Sequence, residues 1–222
     1  MAEGHRQRLK EKAKNLPLES FKQHEIMELM LFFVLPRRDT NSLGHTLMER
    51  YGSLYNICNA SGEDLMRVKG LGAQTVEFLR LIPDFVRCYE NSVFSEKFVF
   101  KTVDDIGKYC LTLQLGRLYE AVYLLCLDNG RRLIKKVKVA EGLPGEVYIE
   151  PRQIIEQVTH TSTTAVILCH NHPGGSLTPS HNDLIITSKT RDALDLIGIE
   201  LIDHIIIAND SWFSFKSSGV SM

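Results

Sequence analysis

The chain has 222 residues, 44% of them hydrophobic and 24% charged, enough to bury the core of one large domain or two small ones; disordered and collagen-like polymers are excluded. Twenty-six Lys+Arg against 27 Asp+Glu leave a net charge of −1, so the molecule as a whole is no electrostatic nucleic-acid binder and any basic footprint is local. The five cysteines, Cys58, Cys88, Cys110, Cys126 and Cys169, are odd in number with no C-x-x-C pair and mostly have apolar neighbours, and read as reduced core residues of a cytoplasmic protein.

Residues 1–14 are polar and basic, and apolar runs such as 30–35 and 205–208 fall far short of the ~20 residues of a membrane span, so neither a signal peptide nor a transmembrane helix is expected. From residue 18 to 89, apolar side chains recur at helical spacing: Ile26, Leu29, Met30 and Phe33, then Leu43, Leu47 and Tyr51, then Val76, Leu79, Ile82 and Val86. This predicts a small all-α domain over residues 1–91. Segment 91–102 loses the helical period, while its Val93, Phe94, Phe98 and Phe100 predict docking rather than a free linker.

Beyond it the pattern changes to strands and helices. Residues 121–128 are a nearly continuous apolar run suited to a buried strand, and Asp128-Asn129-Gly130 turns it into an alternating strand over 133–139. Pro151 opens a helix through 158, residues 165–169 form a short buried strand, and 180–197 carries helical spacing at Leu184, Thr187, Ala193, Leu194 and Ile197. Residues 199–208 and 212–215 close the chain as a second hairpin through Asn209-Asp210. The expected fold class is α/β over residues 100–222, a mixed sheet with packed helices, preceded by the all-α domain.

The most informative segment is CHNHPGGSLTPSHND, residues 169–183. Side chains two apart in a strand share a face, so His170 and His172 can converge on one ion. Pro173-Gly174-Gly175 turns the chain, and Thr178-Pro179-Ser180 starts a helix that brings Asp183 to the pair. Two imidazoles and one carboxylate resemble a catalytic zinc site with an open position, holding one zinc per chain. With eight histidines, an H-x-H arises by chance about 0.3 times in such a chain, so the pair alone is weak and the constellation carries the argument. Ser180-x-x-Asp183 also reads as a capping box that needs no metal.

Other features have plainer readings. Val68-Lys69-Gly70-Leu71-Gly72 before a helix looks like a helix-hairpin-helix turn that could cradle DNA phosphates through Lys69, Gly70 and Gly72, or simply a tight turn between helices. Residues 1–90 hold 13 Lys+Arg against 12 Asp+Glu, net +1, so any DNA contact is weak and non-specific unless Lys69, Arg37, Arg38, Arg6, Arg8 and Lys10 share a face. His204, in an apolar strand, reads as a hydrogen-bonded core residue that Asp203 could orient. Cys169 faces away from both histidines, and Trp212 and Phe213 read as strand packing.

The H-N-H-P-G-G-S-L-T-P-S-H-N-D string resembles the H-x-H-P…S-x-x-D signature of JAMM (MPN+, JAB) metallopeptidases, and its wording resembles the bacterial RadC branch. Gly4-His5-Arg6-Gln7-Arg8-Leu9, residues 25–29, 36–40 and 69–72, Pro151-Arg152 and residues 201–205 extend the resemblance over nearly the whole chain. It implies a JAMM/MPN-like, cytidine-deaminase-like fold in which His170, His172 and Asp183 hold zinc. A glutamate matching Glu120 would act as general acid/base, and Ser180 would assist the oxyanion. Glu141, Glu146, Glu150 and Glu156 remain rivals for that base. The chain departs from the branch at Pro173-Gly174-Gly175, where Pro-Ser-Gly is usual, and at Gln153, where Glu commonly follows Arg.

Three functions compete. The first is a zinc-dependent hydrolase of peptide or isopeptide-linked protein substrates, using a metal-bound water. The second is a DNA-associated repair or recombination accessory protein whose zinc is structural or regulatory, a role its near-neutral charge disfavours. The third is a metal nuclease, suggested by the letters His170-Asn171-His172 and set aside because here they are merely adjacent; a zinc deaminase fails too, since its H-x-E and P-C-x-x-C ligand sets are absent. A membrane partner is not expected.

Overall fold

The computed structural model describes residues 2–36, 38–92, 94, 98–143, 145, 147–159 and 161–220. It forms two compact units, Met1–Val86 and Arg87–Met222. The first contains α1 (Ala2–Asn15), α2 (Gln23–Val34), α3 (Asn41–Tyr51), α4 (Leu54–Asn59), α5 (Gly62–Met66) and the start of α6 (Ala73–Ser92). Ser53 and Ser61 accept the N–H groups of Asn56 and Asp64 and so cap α4 and α5. The main helical core joins Met27, Leu31, Leu47, Ile57, Leu65 and Leu79.

On α2 the expected stripe is out of phase. Of Ile26, Leu29, Met30 and Phe33 only Leu29 is buried, and Phe33 is 80% exposed. The helix is apolar on most of its circumference and packs on two sides: Met27 and Leu31 join the main core, while Leu29 and Phe32 join Leu9 and Phe21. A single 3.6-residue stripe is therefore not unique.

Helix α6 runs on to Ser92, so the division between the units falls inside it, upstream of the segment where the helical period fades in sequence. Its last turn belongs with the second unit because Asn91 Nδ2 donates to the Thr112 carbonyl at 3.0 Å. Phe94 and Phe100 then meet the Tyr109 ring edge-on, with centroids 4.9 and 5.3 Å away, as docking requires. Val93 lies outside the described residues.

The second unit continues with α7 (Val103–Gln114), β1 (Glu120–Leu127), β2 (Leu133–Gly142), α8 (Pro151–Val158), β3 (Ala165–Asn171), α9 (His181–Asp195), β4 (Glu200–Ala208), β5 (Ser211–Ser214) and α10 (Phe215–Ser218). One five-stranded mixed sheet has the order β2-β1-β3-β4-β5. Only β3 and β4 are parallel, and α9 supplies the crossover that parallel neighbours need. Helix α7 covers one face through Ile106, Tyr109, Cys110 and Leu113, and α8 and α9 cover the other through Ile154, Val158, Ile186 and Leu194.

The burial on α9 departs in part from expectation. Thr187 and Leu194 are buried as expected, but Leu184 and Ile197 are 39% and 46% exposed, and Asp183, Ile186 and Thr190 are buried instead. Trp212, as expected, packs on the sheet against α7, and it does so over Gly107, where an added Cβ would fall 2.2 Å from the indole. Gly107→Ala must push the indole off the helix, and should cost about 1–3 kcal/mol. Urea unfolding measures that loss, and Trp212, the single tryptophan, should shift its emission at the same time. Unchanged stability and emission would mean that the helix and ring are not in contact.

Candidate metal centre

The site follows from strand parity. Along β3, Ala165, Ile167 and Cys169 point to α7, and Val166 and Leu168 point to α8 and α9, so His170 continues the second set. Along β1, Val122, Leu124 and Cys126 share that face, and Glu120 has the same parity. The register pairs Val122 with His170, which carries Glu120 towards His172. Asn171, pointing the opposite way, locks this end of the sheet: its Oδ1 accepts the Ala121 N–H at 2.8 Å and its Nδ2 donates to the Tyr119 carbonyl at 3.0 Å.

Asp183 arrives from α9. The helix opens with a capping box in which Ser180 Oγ accepts the Asp183 N–H at 3.2 Å and Asp183 Oδ2 accepts the Ser180 N–H at 2.6 Å. Both readings of Ser180-x-x-Asp183 thus meet in one structure, because the capping carboxylate also faces the histidines. His170 Nε2 lies 3.2 Å from Asp183 Oδ1, and His172 Nε2 lies 3.4 Å from Oδ2. The ligand atoms of Glu120, His170, His172 and Asp183 all fall within 4.8 Å of one another, a group that can hold a metal ion.

The donor chemistry fits a cation. His172 Nδ1 is 2.7 Å from the Ser176 carbonyl, which can only accept, so neutral His172 carries its hydrogen on Nδ1 and turns a lone pair on Nε2 inward. That Nε2 is 2.9 Å from Nε2 of His170. Hydrogen bonding to Asp183 raises the His172 pKa, against burial and with help from the Ser176 carbonyl. Burial penalises the Asp183 charge, yet His170 and His172, with Ser180, hold its carboxyl far below the usual carboxylate range. The carboxylate is therefore ionised and ready to coordinate.

Glu120 is 8% exposed, and its Oε2 accepts the Gly145 N–H at 2.8 Å. Gly145 has φ +79°, a conformation that suits glycine. The described rivals lie elsewhere. Glu141 pairs with Arg117 and Lys138, Glu156 pairs with Arg152, and Glu150 sits exposed before α8. Glu146 is outside the described residues. Gln153 accepts the Glu150 N–H at 2.9 Å, so the residue found where Glu is usual serves the start of α8.

Three residues near the centre were not singled out as site residues from sequence: Asn171, Gly145 and Thr187. His204 was read as core, and it is 2% exposed, but its ring is held by Thr187 and meets His170, with centroids 4.8 Å apart. Asp203 does not orient that ring. It accepts the His204 main-chain N–H at 2.8 Å and the Ser214 hydroxyl at 2.5 Å. Cys169 packs with α7 as expected, receiving Gln114 Nε2 on its Sγ at 3.7 Å.

In the helical unit, Lys69, Gly70 and Gly72 form the turn between α5 and α6, with Gly70 at φ +107° and the Leu71 N–H closed on the Val68 carbonyl. Arg38 Nη1 donates to the Gly70 carbonyl at 3.0 Å, and Arg38, Asp39, Lys69 and Gly70 line one cleft of about 230 Å³. Arg6 is spent internally on the Phe32 and Leu35 carbonyls at the end of α2. Arg37 lies outside the described residues.

A sequence model described as the RadC-like JAB domain matches residues 100–220. The chain is 31% identical to a UPF0758 protein of Fusobacterium nucleatum subsp. nucleatum, over 98% of this chain and 97% of that protein. It is 30% identical to UPF0758 proteins of Ruegeria pomeroyi and Rhodobacter capsulatus, covering 97% and 91% of this chain and 96% and 94% of theirs. A mixed five-stranded sheet that gathers two histidines, an aspartate and a glutamate at one strand end is thus matched by sequence along almost its whole length, and the chain belongs to the RadC family, with its JAB domain over residues 100–220.

Proposed function

We propose that this protein is a zinc-dependent hydrolase of amide bonds, a metallopeptidase or isopeptidase acting on a peptide or isopeptide-linked protein in the cytoplasm. One observation carries the reading: two imidazole nitrogens and an aspartate oxygen converge with a fourth, glutamate carboxylate within 4.8 Å. Three protein ligands plus a neighbouring carboxylate suit a hydrolytic zinc site, and imidazole donors disfavour magnesium and calcium. Bound there, zinc would supply a Lewis acid and lower the pKa of a coordinated water to about 7.

The remaining work falls to the chain. Glu120 takes a proton from the attacking water and delivers it to the amide nitrogen as the C–N bond breaks. Ser180 Oγ accepts the Asp183 N–H and still has its own hydrogen to give, which it directs to the carbonyl oxygen as negative charge develops there. Zinc-loaded protein should cleave at least one member of a panel of peptides and isopeptide-linked conjugates, and chelation should stop it. A fully loaded protein inert on the whole panel overturns the hydrolase reading.

The second reading, a DNA-associated accessory protein, is favoured by Lys69 and Arg38 lining the same cleft at the Gly70 turn. With Arg6 engaged internally, the full chain should bind duplex without sequence preference and with a salt slope of only about two to four released counterions. Lys69→Glu should weaken it. Absence of binding at ~20 mM salt, where phosphate contacts are strongest, would reduce the motif to a turn.

A further inference from the structure

His170 binds a metal through Nε2 only if its one neutral-state hydrogen sits on Nδ1, and what faces Nδ1 is another imidazole: His204 Nε2 is 2.8 Å away. Which of the two donates follows from the next links. Thr187 Oγ1 is 2.5 Å from the Asp183 main-chain carbonyl, which can only accept, so the hydroxyl spends its hydrogen there. It can then only accept from His204 Nδ1, 2.6 Å away. His204 is 2% exposed, and a second hydrogen on its Nε2 would face the His170 Nδ1–H across 2.8 Å, so its single hydrogen is the one it gives to Thr187. With its hydrogen on Nδ1, its Nε2 holds a lone pair, and the His170 Nδ1–H must donate to it.

We propose that His204 and Thr187 are positioning residues of the centre: they fix the His170 tautomer and aim its Nε2 lone pair at the metal. The chain of bonds starts on the main chain of Asp183, so the third ligand sets the orientation of the first. A reversed chain would put a hydrogen on His170 Nε2, 2.9 Å from His172 Nε2, where the ion must sit. The proposal rests on the metal-centre reading, and goes beyond it in giving a role to two side chains that touch no substrate.

The test uses the full-length protein and zinc alone. His204→Phe keeps the stacking on Phe215, whose ring centroid is 4.8 Å away, and removes the acceptor; His204→Gln can still accept from His170 and donate to Thr187. Competition with a chromogenic chelator should show zinc affinity falling about 10–100-fold in His204→Phe and in Thr187→Val, and largely recovering in His204→Gln. The melting temperature of each metal-free variant is recorded beside it. In the metal-free parent at alkaline pH, ¹⁵N spectra of the imidazoles should show His170 protonated on Nδ1. Unchanged affinity in both His204→Phe and Thr187→Val, equal losses in the Phe and Gln variants, or an Nε2–H tautomer of His170 would each overturn the proposal while zinc binding by the parent stands. A parent that holds no zinc would instead overturn the metal-centre reading and this inference with it. Should His204→Phe fail to fold, Thr187→Val and the parent spectra decide.

Discussion

Alanine at His170, His172 or Asp183 is expected to take the purified protein from about one zinc per chain to almost none. On the proposed reading each residue would supply one of three ligand atoms, and a site left with two would hold zinc far less tightly than one with three. The loss should also appear as stability. Zinc at 100 times its Kd should stabilise the parent by about 2.7 kcal/mol, a rise of roughly 5–11 °C in melting temperature, and should not move the variants. Asp183 needs a control, because its carboxylate also accepts the Ser180 N–H at 2.6 Å and Asp183→Ala weakens the start of α9 whether or not a metal is present. Asp183→Asn keeps an oxygen for the cap while losing the charge that attracts the ion. Elemental analysis that finds full zinc in all three alanine variants would remove the metal centre from these residues.

The sequence carries the site unevenly, for reasons that lie in the fold. His170 and His172 are legible because a strand puts alternate residues on one face, and Asp183 because the Gly turn and the Ser180 cap force the helix to start beside them. Glu120 is different. Its nearness to His172 depends on the β1–β3 register, which joins residues about 50 positions apart, and no local pattern states it, so family resemblance supplied it. His204 and Thr187 are hidden in the same way, since the parallel β3–β4 register and the α9 crossover bring them to His170. The face of α9 was read only in part because it serves the site: Thr187 and Leu194 are buried as expected, but Asp183 and Thr190 are polar and buried too, so the apolar count drew in Leu184 and Ile197 on the exposed side.

The sharpest separation of metal binding from chemistry is expected at Glu120. Glu120→Gln should retain zinc and lose hydrolysis by ~10²-fold or more, the range for removal of a general base. The amide oxygen can still accept the Gly145 N–H that Oε2 now takes at 2.8 Å, so the loop and the side-chain position should survive while the titrating group is gone. Ser180→Ala should also keep the metal and lose about 10–10³-fold in rate, with about 1 kcal/mol of stability lost as its cap on the Asp183 N–H disappears. Melting temperature measured beside rate separates those two effects, since a capping role alone would lower stability without a matching fall in turnover at temperatures where both proteins are folded. Glu141→Gln is the control, because Glu141 is tied to Arg117 and Lys138 away from the cluster and should leave turnover unchanged. If Glu120→Gln were fully active, the carboxylate within 4.8 Å of the histidines would be no base, and the proton would have to pass through another residue.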